Sequence, residues 1–335
     1  MKVRRPRRIR LHRHEHLIET SDPGIRLHLR EKCQGRTRSG AARPVLLMVH
    51  GQSLPSPVCF DFPLPGYSWM DYAAARGYDV FALTLRGYGM STRPPEMERD
   101  PASAPPAVRG RTALRDVEAA VRFIRKKRGA EQLSLLGWAQ GTMLAAAFAA
   151  AHPRRVEKVV LFSPLHLSDD PAAAVLFEDP EQPGRLNPEF RGAWRWVTEK
   201  GQQWNWSRLF PRGKAPLWRE PDAVRAYWAE QLRYDPEGAR RRPHGVRIPN
   251  GLIADHYDRT HGQSLYKPAE VKCPALLIRG EHDLVSSDQE AQRLFGALAR
   301  ATGKRYVIIG DATHFVQFEK RRDDLFNEVQ NFLEE

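Results

Sequence analysis

A strand-turn-helix segment holds the residues whose spacing most clearly implies chemistry. Gly137-Trp138-Ala139-Gln140-Gly141 joins an apolar run that ends at Leu136 to a small-residue run that begins at Met143. The segment fits the Gly-x-Ser-x-Gly pattern, in which a sharp turn exposes a serine hydroxyl for nucleophilic attack. Both glycines suit this turn, because a side chain at either position would collide with the neighbouring strand or helix. The middle residue is Ala139, so the turn is predicted without its nucleophile.

Three further short motifs place polar side chains directly after apolar runs. They are His50-Gly51, Gly280-Glu281-His282-Asp283 and Gly310-Asp311-Ala312-Thr313-His314-Phe315. A histidine near a nucleophile can take the proton of a hydroxyl and return it to the leaving group, while a buried carboxylate fixes the histidine tautomer. Of the 12 histidines, only His50 and His314 occupy motif positions at which such a role is considered.

The elements that must position these motifs are predicted from hydrophobic patterns. Continuous apolar runs, rich in β-branched residues, are typical of strands that are buried on both faces of a parallel sheet. Such strands are predicted at 45–49, 79–85, 133–136, 156–162, 275–279 and 306–309. Helices are predicted at 69–76, 112–127 and 143–151, from Asp288 onward, and at 321–333. The alternation of strands and helices predicts an α/β fold, a mostly parallel sheet covered by helices on both faces.

Together these motifs resemble the α/β-hydrolase fold family. The resemblance covers about 43–164 and 268 to the C-terminus, and it includes the turn Arg86-Gly87-Tyr88-Gly89-Met90-Ser91. Thr84 departs from the acidic residue often found before this turn, which weakens the subfamily assignment and leaves the fold assignment intact. The order of nucleophile, acid and histidine along the chain is the family's own.

The resemblance implies a role for each motif residue. Asp283 is predicted to be the triad acid, with Asp169 or Asp170 as a less favoured alternative, and His314 is predicted to be the general base. The backbone amides of Gln52 and Gln140 are predicted to form the oxyanion hole, which stabilises the negative oxygen of a tetrahedral intermediate. The predicted substrate contacts are His50, which mainly shapes the oxyanion loop, and Gly51, Trp138, Trp204 and Arg195.

The alternation of strands and helices lapses in the middle of the chain, which predicts an inserted cap. The predicted division is 1–165 and 268–335 for the two parts of the hydrolase core and 166–267 for the cap. Six of the eight tryptophans lie in the cap, at 194, 196, 204, 206, 218 and 228. They either line a pocket or pack a cap that lacks a sheet of its own, and packing is the favoured role for most. Arginines lie among them, at 191, 195, 208, 219 and 225, and predict an anionic aromatic substrate.

Ala139 allows two interpretations. The first, which we favour, is a serine hydrolase of carboxylic esters that a Ser-to-Ala change has inactivated, because the acid, base and oxyanion loop are all kept. The second is a natural homologue that binds a ligand without turnover. Carbon–carbon bond hydrolases and acyltransferases share the serine triad, and epoxide hydrolases use an aspartate nucleophile, so these activities stay open.

Composition sets the remaining expectations. The 335 residues with 41% hydrophobic content suit a globular protein, and no apolar run is long enough for a membrane span. Three scattered cysteines and the lack of a secretory signal favour a cytoplasmic protein with reduced thiols. The net charge of +13 is spread along the chain without a nucleic-acid-binding motif. We therefore expect a small-molecule ester as partner, no nucleic acid or membrane, no metal or cofactor, and a monomer or homodimer.

Overall fold

The structure, a computed structural model, describes residues 10–35, 42–170, 174–175 and 177–335. Its centre is an eight-stranded sheet with the strand order β1-β2-β4-β3-β5-β6-β11-β12. These strands are β1 (Leu11–Glu19), β2 (Arg26–Gln34), β3 (Val45–Val49), β4 (Asp79–Leu83), β5 (Leu133–Trp138), β6 (Val156–Phe162), β11 (Ala275–Gly280) and β12 (Lys304–Ile309). From β4 to β12 all neighbouring strands are parallel, which confirms the predicted mostly parallel sheet.

The first two strands were not predicted. β1 and β2 form an antiparallel hairpin, and β2 pairs antiparallel with β4. The sequence pattern conceals β1, because most of it is exposed and its alternate positions carry histidines instead of apolar side chains. It conceals β2 because that strand, although mostly buried, carries charged residues such as Arg30 and Glu31 between its apolar ones. Within the hairpin, β1 is joined to β2 by side-chain contacts such as the hydrogen bond between His16 and Glu31, 2.6 Å long.

Helices cover both faces of the sheet. They are α1 (Ser56–Phe60), α2 (Trp69–Ala75), α3 (Gly110–Arg128), α4 (Gln140–Ala151), α11 (Asp288–Ala297) and α12 (Arg322–Glu334). Successive strand residues point to opposite faces, so Leu47 and Val49 pack with side chains of α3 and α4, while Leu46 and Met48 pack with those of α2 and α12. Burial of both faces explains the continuous apolar runs in the strand sequences.

The segment predicted as a cap forms its own short strands and helices. Its strands are β7 (Glu178–Asp179), β8 (Gln182–Leu186), β9 (Trp194–Thr198) and β10 (Gly245–Pro249). Its helices are α5 (Pro188–Arg191), α6 (Glu199–Ser207), α7 (Ala215–Trp218), α8 (Pro221–Arg233), α9 (Pro236–Arg240) and α10 (Gly251–Arg259). The expectation of a cap without a sheet is wrong, because β7 pairs with β8 and β9 pairs with β10. The division of the chain at 165 and 267 stays a prediction.

Two further features of the structure concern its helices and its cysteines. None of the helices in the described part of the chain combines the length and the apolar character that crossing a bilayer requires. Cys33, Cys59 and Cys273 are buried and unpaired.

Candidate active site

The turn between β5 and α4 has the sharp geometry that its sequence predicts. Ala139 adopts φ 52° and ψ −120°, a strained conformation for a residue with a side chain. A Cβ on Gly137 would lie 2.3 Å from the carbonyl oxygen of Gly141, and a Cβ on Gly141 would lie 2.2 Å from that of Val49. The two glycines therefore allow strand and helix to approach, and the turn holds residue 139 at the wall of a cavity.

Asp283 and His314 form a buried pair at this cavity. The loops after β11 and β12 bring Nδ1 of His314 to 3.0 Å from both carboxylate oxygens of Asp283. Asp283 also accepts the backbone N–H groups of Val285 and Ser286, each at 2.9 Å. Because Nδ1 donates to the carboxylate, Nε2 of His314 is left with the lone pair that could accept a proton.

Burial acts to raise the pKa of Asp283, but His314 and the N–H of Ser286 outweigh it and hold the pKa below its usual value. Asp283 therefore stays ionised behind the imidazole. The alternative acid Asp169 is exposed and forms an ion pair with Arg293 instead.

The His50-Gly51-Gln52 loop lies against the turn. The N–H of Gln52 donates to Oε1 of Gln140 at 3.2 Å, and a Cβ on Gly51 would lie 3.1 Å from the methyl group of Ala139. Gln140 is the first residue of α4, so its backbone N–H has no acceptor within the helix. Both predicted oxyanion residues are thus found beside Ala139.

His50 lies behind this loop and is not among the residues that line the cavity. Its fully buried ring accepts the N–H of Leu85 through Nε2 at 3.0 Å and donates from Nδ1 to the carbonyl of Gly51 at 2.5 Å. Burial lowers the pKa of His50 to about 4, although the bond to Gly51 opposes the shift. His50 is therefore a neutral ring that fixes the backbone of the loop.

The cavity of about 420 Å³ lies between the sheet and the segment predicted as a cap. The core contributes Gln52, Trp138, Ala139, Gln140, Val285 and His314, and the cap contributes Phe190, Arg195, Trp196, Trp204, Arg208 and His256, among others. The predicted contacts Trp138, Trp204 and Arg195 thus all border it. A wider depression of about 700 Å³ beside the β1–β2 hairpin contains none of the motif residues.

The charges in the cavity wall are mainly positive. Arg195 donates to Oδ1 of Asn250 at 2.6 Å and lies 5.2 Å from the ring centre of Phe190. Arg208 lies 5.2 Å from the ring centre of Trp204, and its buried Nε has no hydrogen-bond partner among the described residues. Glu189 is the acidic side chain that lines the cavity near them. The wall thus combines aromatic rings with two guanidinium groups that neutral groups hold in place.

Sequence reasoning missed a buried polar chain that ends at the turn. Nε2 of Gln140 lies 3.0 Å from Nδ1 of His256, and Nε2 of His256 lies 2.8 Å from Nη2 of Arg259. Arg259 in turn donates to Oε1 of Glu290 at 3.0 Å. Burial lowers the pKa of His256 well below its usual value, and the charges of Arg259 and His314 add to the effect. No motif marks His256 in the sequence, because its position depends on how α10 of the cap meets the core.

Metal-ligand spacing occurs away from this cavity. Among the described residues, His14, Glu31 and Cys33 on the β1–β2 hairpin bring potential ligand atoms within 4.8 Å of one another. The carboxylate of Glu31 already forms a hydrogen bond with His16 and an ion pair with Arg128, and burial raises the pKa of the Cys33 thiol. This group therefore offers a poor anionic ligand set.

Known proteins share the architecture. A family model described as alpha/beta hydrolase fold matches residues 44–321. Among solved structures, E-2-(acetamidomethylene)succinate hydrolase is 19% identical with a TM-score of 0.62 and covers 97% of this chain and 100% of its own. A malate-bound esterase from Thermogutta terrifontis is 15% identical with a TM-score of 0.58, covering 96% and 98%.

An epoxide hydrolase mutant from Vigna radiata is 19% identical with a TM-score of 0.59, and the match covers 96% of this chain and 98% of that one. No curated protein matches the sequence. These structures carry different reactions on one architecture, so the likeness defines the fold and leaves the reaction to the residues of the site.

Proposed function

Because the chain belongs to the α/β-hydrolase fold family, we propose that its cavity is a carboxylic ester hydrolase site in which Ala139 occupies the place of a serine nucleophile. The observation that carries the proposal is the buried Asp283–His314 pair, joined at 3.0 Å, at the cavity that the strained residue 139 also lines. A polar pair of this kind, buried at the cavity wall, suits proton transfer to and from a bound substrate.

With a hydroxyl at position 139 the steps follow from these groups. The oxygen attacks the ester carbonyl while Nε2 of His314 takes its proton, and the backbone N–H groups of Gln52 and Gln140 stabilise the oxygen that becomes negative, for which Gln52 exchanges its bond to Oε1 of Gln140. His314 then returns the proton to the leaving alcohol, and water completes the hydrolysis. The methyl group of Ala139 cannot form the acyl-enzyme, so the chain with alanine at position 139 binds an ester without covalent turnover.

The substrate that we propose is an aromatic ester that also bears a carboxylate. Trp196, Trp204 and Phe190 offer ring faces, and Arg195 and Arg208 offer charge that no acidic side chain among the described residues pairs with directly. A guanidinium group can bind a carboxylate through two hydrogen bonds. A monoester of an aromatic dicarboxylic acid combines both features.

The proposed reaction is tested by Ala139→Ser. We expect the variant to hydrolyse short-chain aryl esters, because one hydroxyl completes the site, while the parent and Ala139→Ser/His314→Gln stay inactive. The measurement is release of the alcohol, with circular dichroism of each variant as the control for folding. A folded but inactive Ala139→Ser would contradict the proposal and favour a ligand-binding protein without turnover.

The proposed substrate class is tested on the same variant. We expect Ala139→Ser to prefer a charged monoester to its neutral diester by about tenfold or more in kcat/KM, because a charged hydrogen bond contributes about 1.5–3 kcal/mol. Arg208→Met should reduce the preference, since Arg195 remains in the cavity wall, and leave hydrolysis of the diester in place. Faster hydrolysis of the diester would contradict the substrate class while leaving the ester reaction intact.

A further inference from the structure

A buried carboxylate lies beside the loop that carries His314. The side chain of Glu319 is fully enclosed, and its Oε2 accepts the backbone N–H of Thr313 at 2.8 Å, while its Oε1 accepts the hydroxyl of the same threonine. The threonine oxygen in turn accepts the backbone N–H of Phe315 at 3.3 Å. The residues on both sides of His314 are therefore bonded to Glu319, either directly or through the threonine hydroxyl.

The same carboxylate contacts the segment predicted as a cap. Nε1 of Trp206, on α6, donates to Oε1 of Glu319 at 2.9 Å. Trp206 is buried, and its ring centre lies 5.6 Å from that of Phe315 and 6.0 Å from that of Phe318. Trp206 and Glu319 are not among the residues that line the cavity. Their hydrogen bond thus joins α6 to the His314 loop from behind the cavity wall.

The hydrogen bonds define the charge of Glu319. Among the described residues, the groups that contact its side-chain oxygens are the N–H and hydroxyl of Thr313 and the N–H of Trp206, and all of them donate. An ionised carboxylate accepts such bonds at both oxygens, whereas a protonated one would direct its own proton at a donor. Burial raises the pKa of Glu319 above its usual value, although these bonds and the charge of Arg219 oppose the shift. A buried carboxylate that depends on its donors holds each of them in place.

We infer that Glu319 is a positioning residue for His314 and that it makes the position of His314 depend on the contact with α6. A general base must keep its geometry closely, because a displacement of about 1 Å can cost roughly 10²-fold in rate. The backbone carbonyl of His314 is held separately by Nε1 of Trp138 at 3.2 Å. The role of His314 as a base rests on the proposed function, whereas the bonds to Glu319 do not.

The first test measures hydrogen exchange in the chain with alanine at position 139. The proton on Nδ1 of His314 exchanges with water when its loop opens, so its exchange rate, measured by NMR, reports how firmly the loop is held. Trp206→Phe keeps an aromatic ring but removes the N–H that Glu319 accepts. We expect the exchange rate to rise about tenfold, as for the loss of a bond to a charged group. An unchanged rate would overturn the inference.

Trp194→Phe is the matched control for this test. Trp194 lies in the same segment but does not line the cavity, and its Nε1 donates to the backbone carbonyl of Arg99 at 3.0 Å. The control variant also loses one N–H bond, so a general weakening of the segment would raise the exchange rate in both variants. We expect the rate to rise in Trp206→Phe alone, and an equal rise in Trp194→Phe would overturn the role of Glu319.

The second test measures kinetics in the Ala139→Ser background. Glu319→Gln keeps the shape of the side chain but turns an NH2 group towards a donor, which should displace the loop. We expect kcat to fall about 10²-fold and KM to change less than about twofold, because Glu319 does not line the cavity. A raised KM with an unchanged kcat would overturn the inference. If circular dichroism shows Glu319→Gln to be unfolded, Trp206→Phe takes its place, with a smaller fall in kcat expected and the same contrary outcome.

The two tests distinguish this inference from the proposed function. Faster exchange in Trp206→Phe together with an inactive Ala139→Ser would contradict the proposed reaction and support the positioning by Glu319. An active Ala139→Ser, with unchanged exchange and unchanged kcat in the variants, would contradict the positioning alone.

Discussion

At the scale of residues, the proposed site keeps the groups for proton transfer assembled without the nucleophile that would use them. Asp283 is fully buried and accepts two backbone N–H groups in addition to the imidazole of His314. Such a carboxylate costs free energy to desolvate, and that cost is offset only by a complete set of hydrogen bonds. The pair thus remains assembled although residue 139 carries a methyl group.

The orienting role of Asp283 is tested by Asp283→Asn in the Ala139→Ser background. An asparagine can donate to Nδ1 of His314 and so favours the tautomer in which Nε2 carries the proton and cannot act as a base. We expect kcat to fall about 10³- to 10⁴-fold, with a much smaller change in KM, as in other triads. Steady-state kinetics measures both, and a loss of less than tenfold would show that Asp283 does not orient the base.

At the scale of elements, the β5–α4 turn depends on backbone contact that side chains would prevent. The carbonyl oxygen of Val49 at the end of β3 lies where a Cβ of Gly141 would be. Strand β3 therefore excludes a side chain at position 141. The turn also sets the distance between residue 139 and the predicted oxyanion loop.

We therefore expect Gly141→Ala to lower the free energy of unfolding by about 3 kcal/mol or more, because backbone must move to admit the methyl group. Gly296→Ala is the matched control. Gly296 lies in α11 with open space around its Cα, and an alanine there should leave stability unchanged or raise it by up to about 1 kcal/mol. Urea unfolding of both variants measures the difference, and equal stabilities would contradict the contact.

At the scale of the whole molecule, the parallel sheet brings distant segments together. The loops after β3, β5, β11 and β12 leave the same edge, where they present the predicted oxyanion loop, the turn, Asp283 and His314. The segment predicted as a cap lines the other side of the cavity with rings and arginines. Neutral histidines buried in this assembly, His50 and His256, link its stability to pH.

The stability of the folded protein should therefore decrease as pH falls from 6.5 towards 4. The unfolded state takes up a proton at His50 near its usual pKa of 6.5, whereas the folded state does so only near the lowered pKa of about 4. The unfolded state thus binds more protons in this range, and His50 alone accounts for a loss of roughly 3 kcal/mol.

His50→Gln provides the comparison, because its amide oxygen can still accept from the N–H of Leu85. As pH falls from 7 to 4, the unfolding free energy of the parent should decrease relative to that of His50→Gln. An NMR titration of the parent gives the pKa of His50 directly, and a value near 6.5 would contradict this account.

The sequence by itself determined the parallel sheet, its covering helices and the motifs at its edge. Buried strands are continuously apolar, and the turn at 139 requires glycines, so both leave a local pattern. The edge strand β1 left no such pattern, because an exposed strand tolerates histidines where an inner strand would need apolar residues. Its partner β2 left none because it buries charged residues whose partners lie in other segments.

Only the tertiary structure decided what surrounds residue 139. His50 shares a motif with the oxyanion loop, yet the fold turns its ring away from the cavity to bind Leu85. His256 and Arg259 belong to no motif, and the docking of the cap on the core brings them behind Gln140. A local pattern records what a segment needs from its own backbone, whereas contacts between distant segments depend on how the whole chain packs.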